Sequence, residues 1–419
     1  MRYRHLMRRA WISAVILLIP WTCIQAMELD HAIERALERD AGLQALHSRS
    51  VASHERAPAE AALPDPELFL GVEGVPIQDP LGSDMMTMYM LGVRQQWPAG
   101  DTRRLSGERS LAEARVLEAD WQARRLEIQR DVRLAWLEWV AAIHTRKIAE
   151  QGVAALDEMV DLTESRFRAG TGRQRDVDQA RLERSLQAGR VLDRITRVEN
   201  TASNLARWTG RWPEADQLPD LPDWPLSMSR DEHRDRLARN PAIEAEARRA
   251  ETGRIEVELA RQSYRPMWMI EAGYAHQPGS APMGGRMSDK FFGMVSMSLP
   301  LFTGNRQDRR VAAAEAETDA RIHQHRLRLQ EWEGRLGTQL AAWNNQKNRL
   351  ELLEEFIVPE AERTLESTLQ AYRSDRASFD ELVRARLAEL DQRIQTIETR
   401  LAWLRARTEL AWLSAEEQL

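Results

Sequence analysis

The chain is written twice. Phe167-Arg168-Ala169, followed by Asp176-Val177 and Ala180-Arg181-Leu182, returns 205 residues later as Tyr372-Arg373-Ser374, Glu381-Leu382 and Ala385-Arg386-Leu387. Gly100 with Ala112-Glu113 returns 204 residues later as Gly304 with Ala316-Glu317. Ala36-Leu37, Arg39, Leu43 and Ala45 return at a spacing of 200 as Arg236-Leu237, Arg239, Ile243 and Ala245, and Pro66 falls on Pro266. Matches in order at a nearly constant spacing mark a duplicated unit, so any fold assigned to one half must serve the other. Each half reads as helix, strand pair, very long helix, sharp turn and returning helix. Residues 208–230, with Pro213, Pro219, Pro222 and Pro225, break the helical pattern and join a first repeat at 27–207 to a second at 231–419.

Within each half a helical stretch (29–63, then 231–263) stops at proline, at Pro64 and Pro66 or at Pro266. Two strands follow, at about 67–76 and 85–97 in the first half and 267–277 and 290–301 in the second. Their apolar positions alternate: Leu68, Leu70 and Val72 oppose Gly71 and Glu73, and Trp268, Ile270 and Tyr274 oppose Met269, Glu271 and Gly273. The strand lengths suit a tilted membrane strand of about 9–11 residues. Long helical hairpins then occupy 102–207 and 306–413. A first helix of some 65 residues spans about 100 Å at 1.5 Å per residue. Its apolar residues recur every seven, from Leu105 through Ala112 and Ala119 to Leu126, then Ile128, Ala135, Ala142, Ala149 and Leu156. Ile322, Leu329, Leu336, Trp343, Leu350 and Ile357 repeat the spacing, which predicts coiled-coil packing, and Pro359 predicts a kink in that second long helix.

The chain begins with Arg2, Arg4, Arg8 and Arg9, an apolar run from Ala10 to Trp21, and a small residue at Ala26. That is the pattern of an export signal at 1–26, removed after Ala26. A retained anchor is the other reading of the segment. Cys23, the single cysteine, lies inside it, with lipid attachment as its other fate. No later segment reaches the roughly 18 apolar residues of a membrane helix, so entry into a membrane requires strands. Charged residues make up 30% of the chain yet nearly cancel, with a net charge of −6. Balanced charge of this kind reads as solvated helix faces and gives nucleic acid no basic surface.

Four strands per chain cannot close on themselves, and open edges in lipid leave backbone groups unpaired. Two copies give eight strands, an interior that side chains fill; three give twelve and an aqueous lumen. The fold class expected is therefore mainly α with a small membrane β-barrel, in a homotrimer whose twelve-stranded barrel continues as a periplasmic α-helical barrel.

The duplicated layout, the aromatic followed by Arg-x-Gly at Phe167-Arg168-Ala169-Gly170, and the helix start at Asp176-Val177 resemble the TolC family of outer-membrane efflux proteins across essentially the whole mature chain. Leu63-Pro64-Asp65-Pro66-Glu67-Leu68 further resembles its heavy-metal resistance branch, the CzcC and CusC type. The resemblance implies an outer-membrane channel that extends into the periplasm of a Gram-negative cell. It implies docking to a periplasmic adaptor (membrane fusion) protein and an inner-membrane pump of the RND type, with export of small molecules or metal ions. It also implies that the hairpin tips form the closed entrance and the adaptor contact. The tip residues are Phe167, Gly170, Arg173, Arg175 and Asp176 in the first half, and Tyr372, Asp375, Arg376, Asp380 and Glu381 in the second. Asp375 stands where the family's second tip usually has glycine, and Arg384 where a second acidic ring is common. Pairing of Asp176 and Tyr372 with Arg173, Arg175 or Arg376 is the expected means of closure.

Two other functions share parts of this pattern: the outer-membrane duct of type I protein secretion, and a periplasmic coiled-coil adaptor or scaffold, which lacks the strand pairs. The chain has no phosphate loop, nucleophile elbow or metal-spaced His or Cys cluster, so neither enzyme activity nor a cofactor is expected. Met85, Met86, Met88, Met90, Met267, Met269, Met294 and Met297 crowd the strands. Thioethers bind soft ions, but they are also general packing groups, and packing is the reading kept for them.

Overall fold

A computed structural model describes residues 28–77, 86–214, 219–226, 228–279 and 284–416. The expected export signal with Cys23, Met85 and the inter-strand loop from residue 78 lie outside the described residues. The order is α1 (Leu29–Arg39), α2 (Ala41–Ala61), β1 (Glu67–Glu73), β2 (Met88–Trp97), α3 (Thr102–Arg168) and α4 (Gln174–Thr209). The second half follows as α5 (Arg230–Leu237), α6 (Pro241–Arg261), β3 (Trp268–His276), β4 (Lys290–Met297), α7 (Gln307–Leu352), α8 (Val358–Arg373) and α9 (Phe379–Leu413).

Each half opens with two helices rather than the one its periodicity predicts, and both breaks have the same cause. Asp40 caps α2 by accepting from the Leu43 backbone N–H at 2.8 Å. Asn240, 200 residues on, caps α6 by accepting from Ala242 at 2.9 Å, with Pro241 pre-set for the first helical position. Asn240 also donates to the carbonyls of Trp412 and Leu413 at 2.8 and 3.3 Å, so the same side chain satisfies the end of α9.

Helix α3 runs 67 residues without a break, about 100 Å. All its heptad residues named above, from Leu105 to Leu156, are buried. The second long helix is interrupted. A π-turn at Leu353–Ile357 separates α7 from α8, immediately before Pro359. Proline lacks the N–H of the regular ladder and its ring collides with the carbonyl four residues earlier, and a widened turn accommodates both. The interruption predicted at Pro359 is thus realised a few residues upstream of it.

The strands form one antiparallel sheet in the order β1-β2-β3-β4. They are shorter than their alternation predicts: β1 ends at Gly74, whose φ of 70° leaves the strand, and β4 ends ahead of Pro300. The central β2–β3 ladder joins the two repeats, with Leu91 opposite Tyr274 and Trp97 opposite Trp268. Two cores hold the helices. The larger includes Trp136 and Trp139 of α3, Trp224 of the linker, and the ring pairs Trp332–Trp412 and Trp343–Trp403, with centroids 4.6 and 6.1 Å apart. The smaller lies near the hairpin turns and contains Leu156, Met159, Ala180, Leu365, Tyr372, Phe379, Leu382 and Val383.

Candidate functional site

Both hairpins turn with the same backbone. Gly170 at φ 75° and Asp375 at φ 61° occupy the left-handed position that ends each outgoing helix. The next residue bonds back across the turn, Thr171 to the Arg166 carbonyl at 3.0 Å and Arg376 to the Ala371 carbonyl at 2.8 Å. This closure satisfies carbonyls that the helix end leaves open. Glycine adopts the left-handed conformation freely, whereas aspartate is among the few other residues that tolerate it.

Arg166 joins the two tips. Its guanidinium donates to the Tyr372 carbonyl at 2.8 Å, pairs with the Asp375 carboxylate, and lies 4.8 Å from the centroid of the Tyr372 ring. Tyr372 is 5% exposed and its ring lies 5.8 Å from that of Phe379. Burial pushes the Tyr372 phenol up, against the opposing pull of the Arg166 charge, so it is neutral at ordinary pH. Gln179 of α4 donates to Asp380 of α9, a second link between hairpins.

The returning helices start differently. Ser378 caps α9 by accepting from the Glu381 N–H at 3.3 Å, and Glu381 accepts from the Ser378 N–H at 2.7 Å. This reciprocal capping box holds the Glu381 carboxyl below its ordinary range, because the hydrogen bonds favour the charged form. The corresponding position of the first tip is Arg173, which offers no side-chain cap.

The structure therefore brings Tyr372 and Asp375 together through Arg166, a residue outside the predicted set. Of the pairs expected from the sequence, Arg175 with Asp176 is present at 3.9 Å, the outer limit of an ion pair. Arg376 turns to the Ser374 hydroxyl at 3.1 Å. Asp380 lies 3.6 Å from Arg384. Phe167, the repeat counterpart of Tyr372, is 45% exposed.

At the other end of the long helices, the sheet has two unlike faces. Leu68, Leu70, Val72, Leu91, Val93 and Ile270 share one face, with Phe291 and Val295 beside them, and all are well exposed. The opposite face carries Glu67, Arg94, Glu271 and Lys290. Arg94 reaches Glu271 at 2.6 Å and Glu67 at 3.7 Å. Met90, Met269 and Met294 share this charged face, while Met267 accepts from Gln96 Nε2 at 2.7 Å. Among the described residues no group of three or more His, Cys, Asp or Glu is placed to hold a metal ion. No helix of the described residues is long and apolar enough to cross a membrane.

An apolar sheet face over a charged one, continued by helices about 100 Å long, defines a membrane-embedded strand unit with a long water-exposed extension. The chain belongs to the outer membrane efflux protein family, whose model matches residues 32–211 and 234–416, one segment in each repeat. No curated protein matches it. Among solved structures it is similar to the outer membrane protein VceC from Vibrio cholerae, at 19% identity and a TM-score of 0.76 over 94% of this chain and 97% of that one. It is similar to CusC at 14% identity and a TM-score of 0.77, over 92% and 91% of the two chains. The open state of the Neisseria gonorrhoeae MtrE outer membrane channel matches at 16% and 0.74, over 92% and 88%. At these identities the likeness establishes the fold, and the family match places the chain in the outer membrane.

Proposed function

We propose that this chain is the outer-membrane channel of a tripartite efflux system, working as a homotrimer with a periplasmic adaptor and an inner-membrane pump of the RND type. The observation that carries the reading is the sheet: four strands with β1 and β4 as free edges, one face apolar and the other charged. Unpaired edges in lipid cost several kcal/mol per backbone group, and pairing β4 of one copy with β1 of the next removes them. Three copies give twelve strands and a water-filled lumen lined by the Arg94–Glu271 face. The apolar face then meets outer-membrane lipid. The cargo is a small molecule or metal ion.

The hairpin tips form the periplasmic entrance and the adaptor contact in this reading. The Arg166 clamp on Tyr372 and Asp375 is the polar contact that favours the closed packing. Crosslinking in membranes should yield a detergent-extracted trimer, and cysteines placed at Gly170 and Ala377 should crosslink to the adaptor in cells. A soluble monomer in the periplasmic fraction is the result that defeats the proposal. Crosslinks arising from the opposite, inter-strand end would reverse the orientation.

A further inference from the structure

The sheet meets the long helices at a cleft of about 530 Å³ lined by Trp97, Pro98, Arg265, Pro266, Trp268 and Ile270. We propose that this cleft is a binding site for a phospholipid of the periplasmic leaflet, with Arg265 on the phosphate and the tryptophan pair against the upper acyl chain.

The position supports it first. Trp97 ends β2 and Trp268 begins β3, directly opposite each other in the ladder at the helical end of the sheet. Both belong to the apolar face, in line with Ile270 and Val295. Trp268 and Ile270 are 44% and 43% exposed. Indole rings at the end of a lipid-facing surface sit at the headgroup level of a bilayer, since each combines an apolar body with one N–H donor. The cleft lies in the middle of the sheet, between β2 and β3, so it is complete within one chain and does not depend on how the free edges pair.

Charge supports it second. The stem of Arg265 lies across Gly100 at the mouth of the cleft: a Cβ added at Gly100 would stand 2.3 Å from Arg265 Cδ. Its nearest carboxylate, Asp101, is 3.9 Å away and the residue's side chain is 57% exposed, so its donors remain available to a ligand. A guanidinium held at the headgroup level beside an apolar wall matches a phosphodiester with attached chains, because the planar donor fork suits phosphate oxygens. The site lies where the two repeats meet, with Trp97 from the first and Arg265 and Trp268 from the second. The equivalents of Arg265 and Trp268, 200 residues earlier, are Asp65 and Leu68, which have neither the cation nor the ring.

The test uses the full chain extracted in detergent, titrated with phosphatidylglycerol and followed by native mass spectrometry. One tightly retained phospholipid per chain is expected. Arg265→Gln should weaken it roughly tenfold, the scale of one charge-assisted hydrogen bond, and Trp268→Ala should weaken it independently of the headgroup. Arg261→Gln, one turn outside the cleft, should change nothing. Diacylglycerol with the same chains should bind weakly and without regard to Arg265, and glycerol phosphate without chains should not bind. Equal phosphatidylglycerol affinity in the parent and in Arg265→Gln overturns the site, as does equal affinity for diacylglycerol. Membrane fractionation of the same strains separates the outcomes: an Arg265→Gln chain that stays in the outer membrane with unchanged affinity defeats this site alone, whereas a soluble parent chain defeats the outer-membrane reading itself.

Discussion

The two hairpin tips descend from one unit, share a turn geometry, and keep it by different means. In the first, glycine supplies the left-handed residue, the aromatic at Phe167 is about half exposed, and α4 starts without a side-chain cap. In the second, Asp375 takes the strained position, the equivalent aromatic Tyr372 is buried, and Ser378 with Glu381 boxes the start of α9. Arg166 of the first tip reaches across to the second. The first tip is thus held mainly by its backbone and the second by side chains, several of them contributed by its neighbour. In the proposed entrance a turn held by its backbone would face one clamped by side chains.

The largest expected contrast is between the paired aromatics. Tyr372→Ala should destabilise the tips by about 3–5 kcal/mol, the usual loss for a large buried ring. Phe167→Ala at the equivalent exposed position should stay within about 0.5 kcal/mol. Native-state hydrogen exchange of the tip amides measures both, and equal losses would show that the two tips are not held by different means. Arg166→Ala should come next, at about 2 kcal/mol for the charged hydrogen bond to the Tyr372 carbonyl. Its pair with the exposed Asp375 should add under about 1 kcal/mol in a cycle with Asp375→Asn. If the tips close the proposed trimeric channel, Arg166→Ala should raise single-channel conductance in a planar bilayer without changing the assembly's stability; parental conductance at low and high salt would remove Arg166 from the proposed gate.

A smaller difference separates the two caps. Ser378→Ala should cost about 1 kcal/mol in the first turn of α9, and Arg173→Ser should stabilise the start of α4 by a comparable or lesser amount. If exchange protection in α4 does not rise, the absence of a cap is not what leaves that turn weaker. The smallest effect concerns acid. Glu381 has a folded-state pKa below its unfolded value, so its contribution is present above the ordinary carboxylate range and is lost as pH falls through the lower, folded value. Protection of the first turn of α9 should therefore decline on acidification. In Glu381→Gln, which keeps a box-forming amide, that decline should flatten, while α4 serves as the internal reference.

Much of the tip was visible in the repeat. Aligning the halves located Tyr372, Asp176 and the turns, and the replacement of glycine by Asp375 was apparent from the same alignment. Arg166 was not, because its counterpart is Ala371 and a comparison of repeats emphasises what both copies keep. The available signal was an arginine one residue before Phe167 in the half that retains glycine, complementary to the acidic residue gained by the other. Glu381 illustrates the converse. Its place at a tip suggested a role in closure, and the structure gives its carboxylate a local task at the helix start.

What the sequence determined by itself is everything that depends on period and punctuation. Heptads specify that α3 is long and buried along one seam, alternation specifies which strand residues share a face, and prolines and capping residues specify where helices end. These are properties of a few consecutive residues, and the duplication states each of them twice. Tertiary structure decided the rest. It chose the β2–β3 ladder that unites the repeats and the arginine that bridges the tips. It also placed Arg265 over Gly100 and beside the tryptophan pair. Each of these joins residues distant in the chain, and their pairing depends on distances and burial that exist only once the helices have packed.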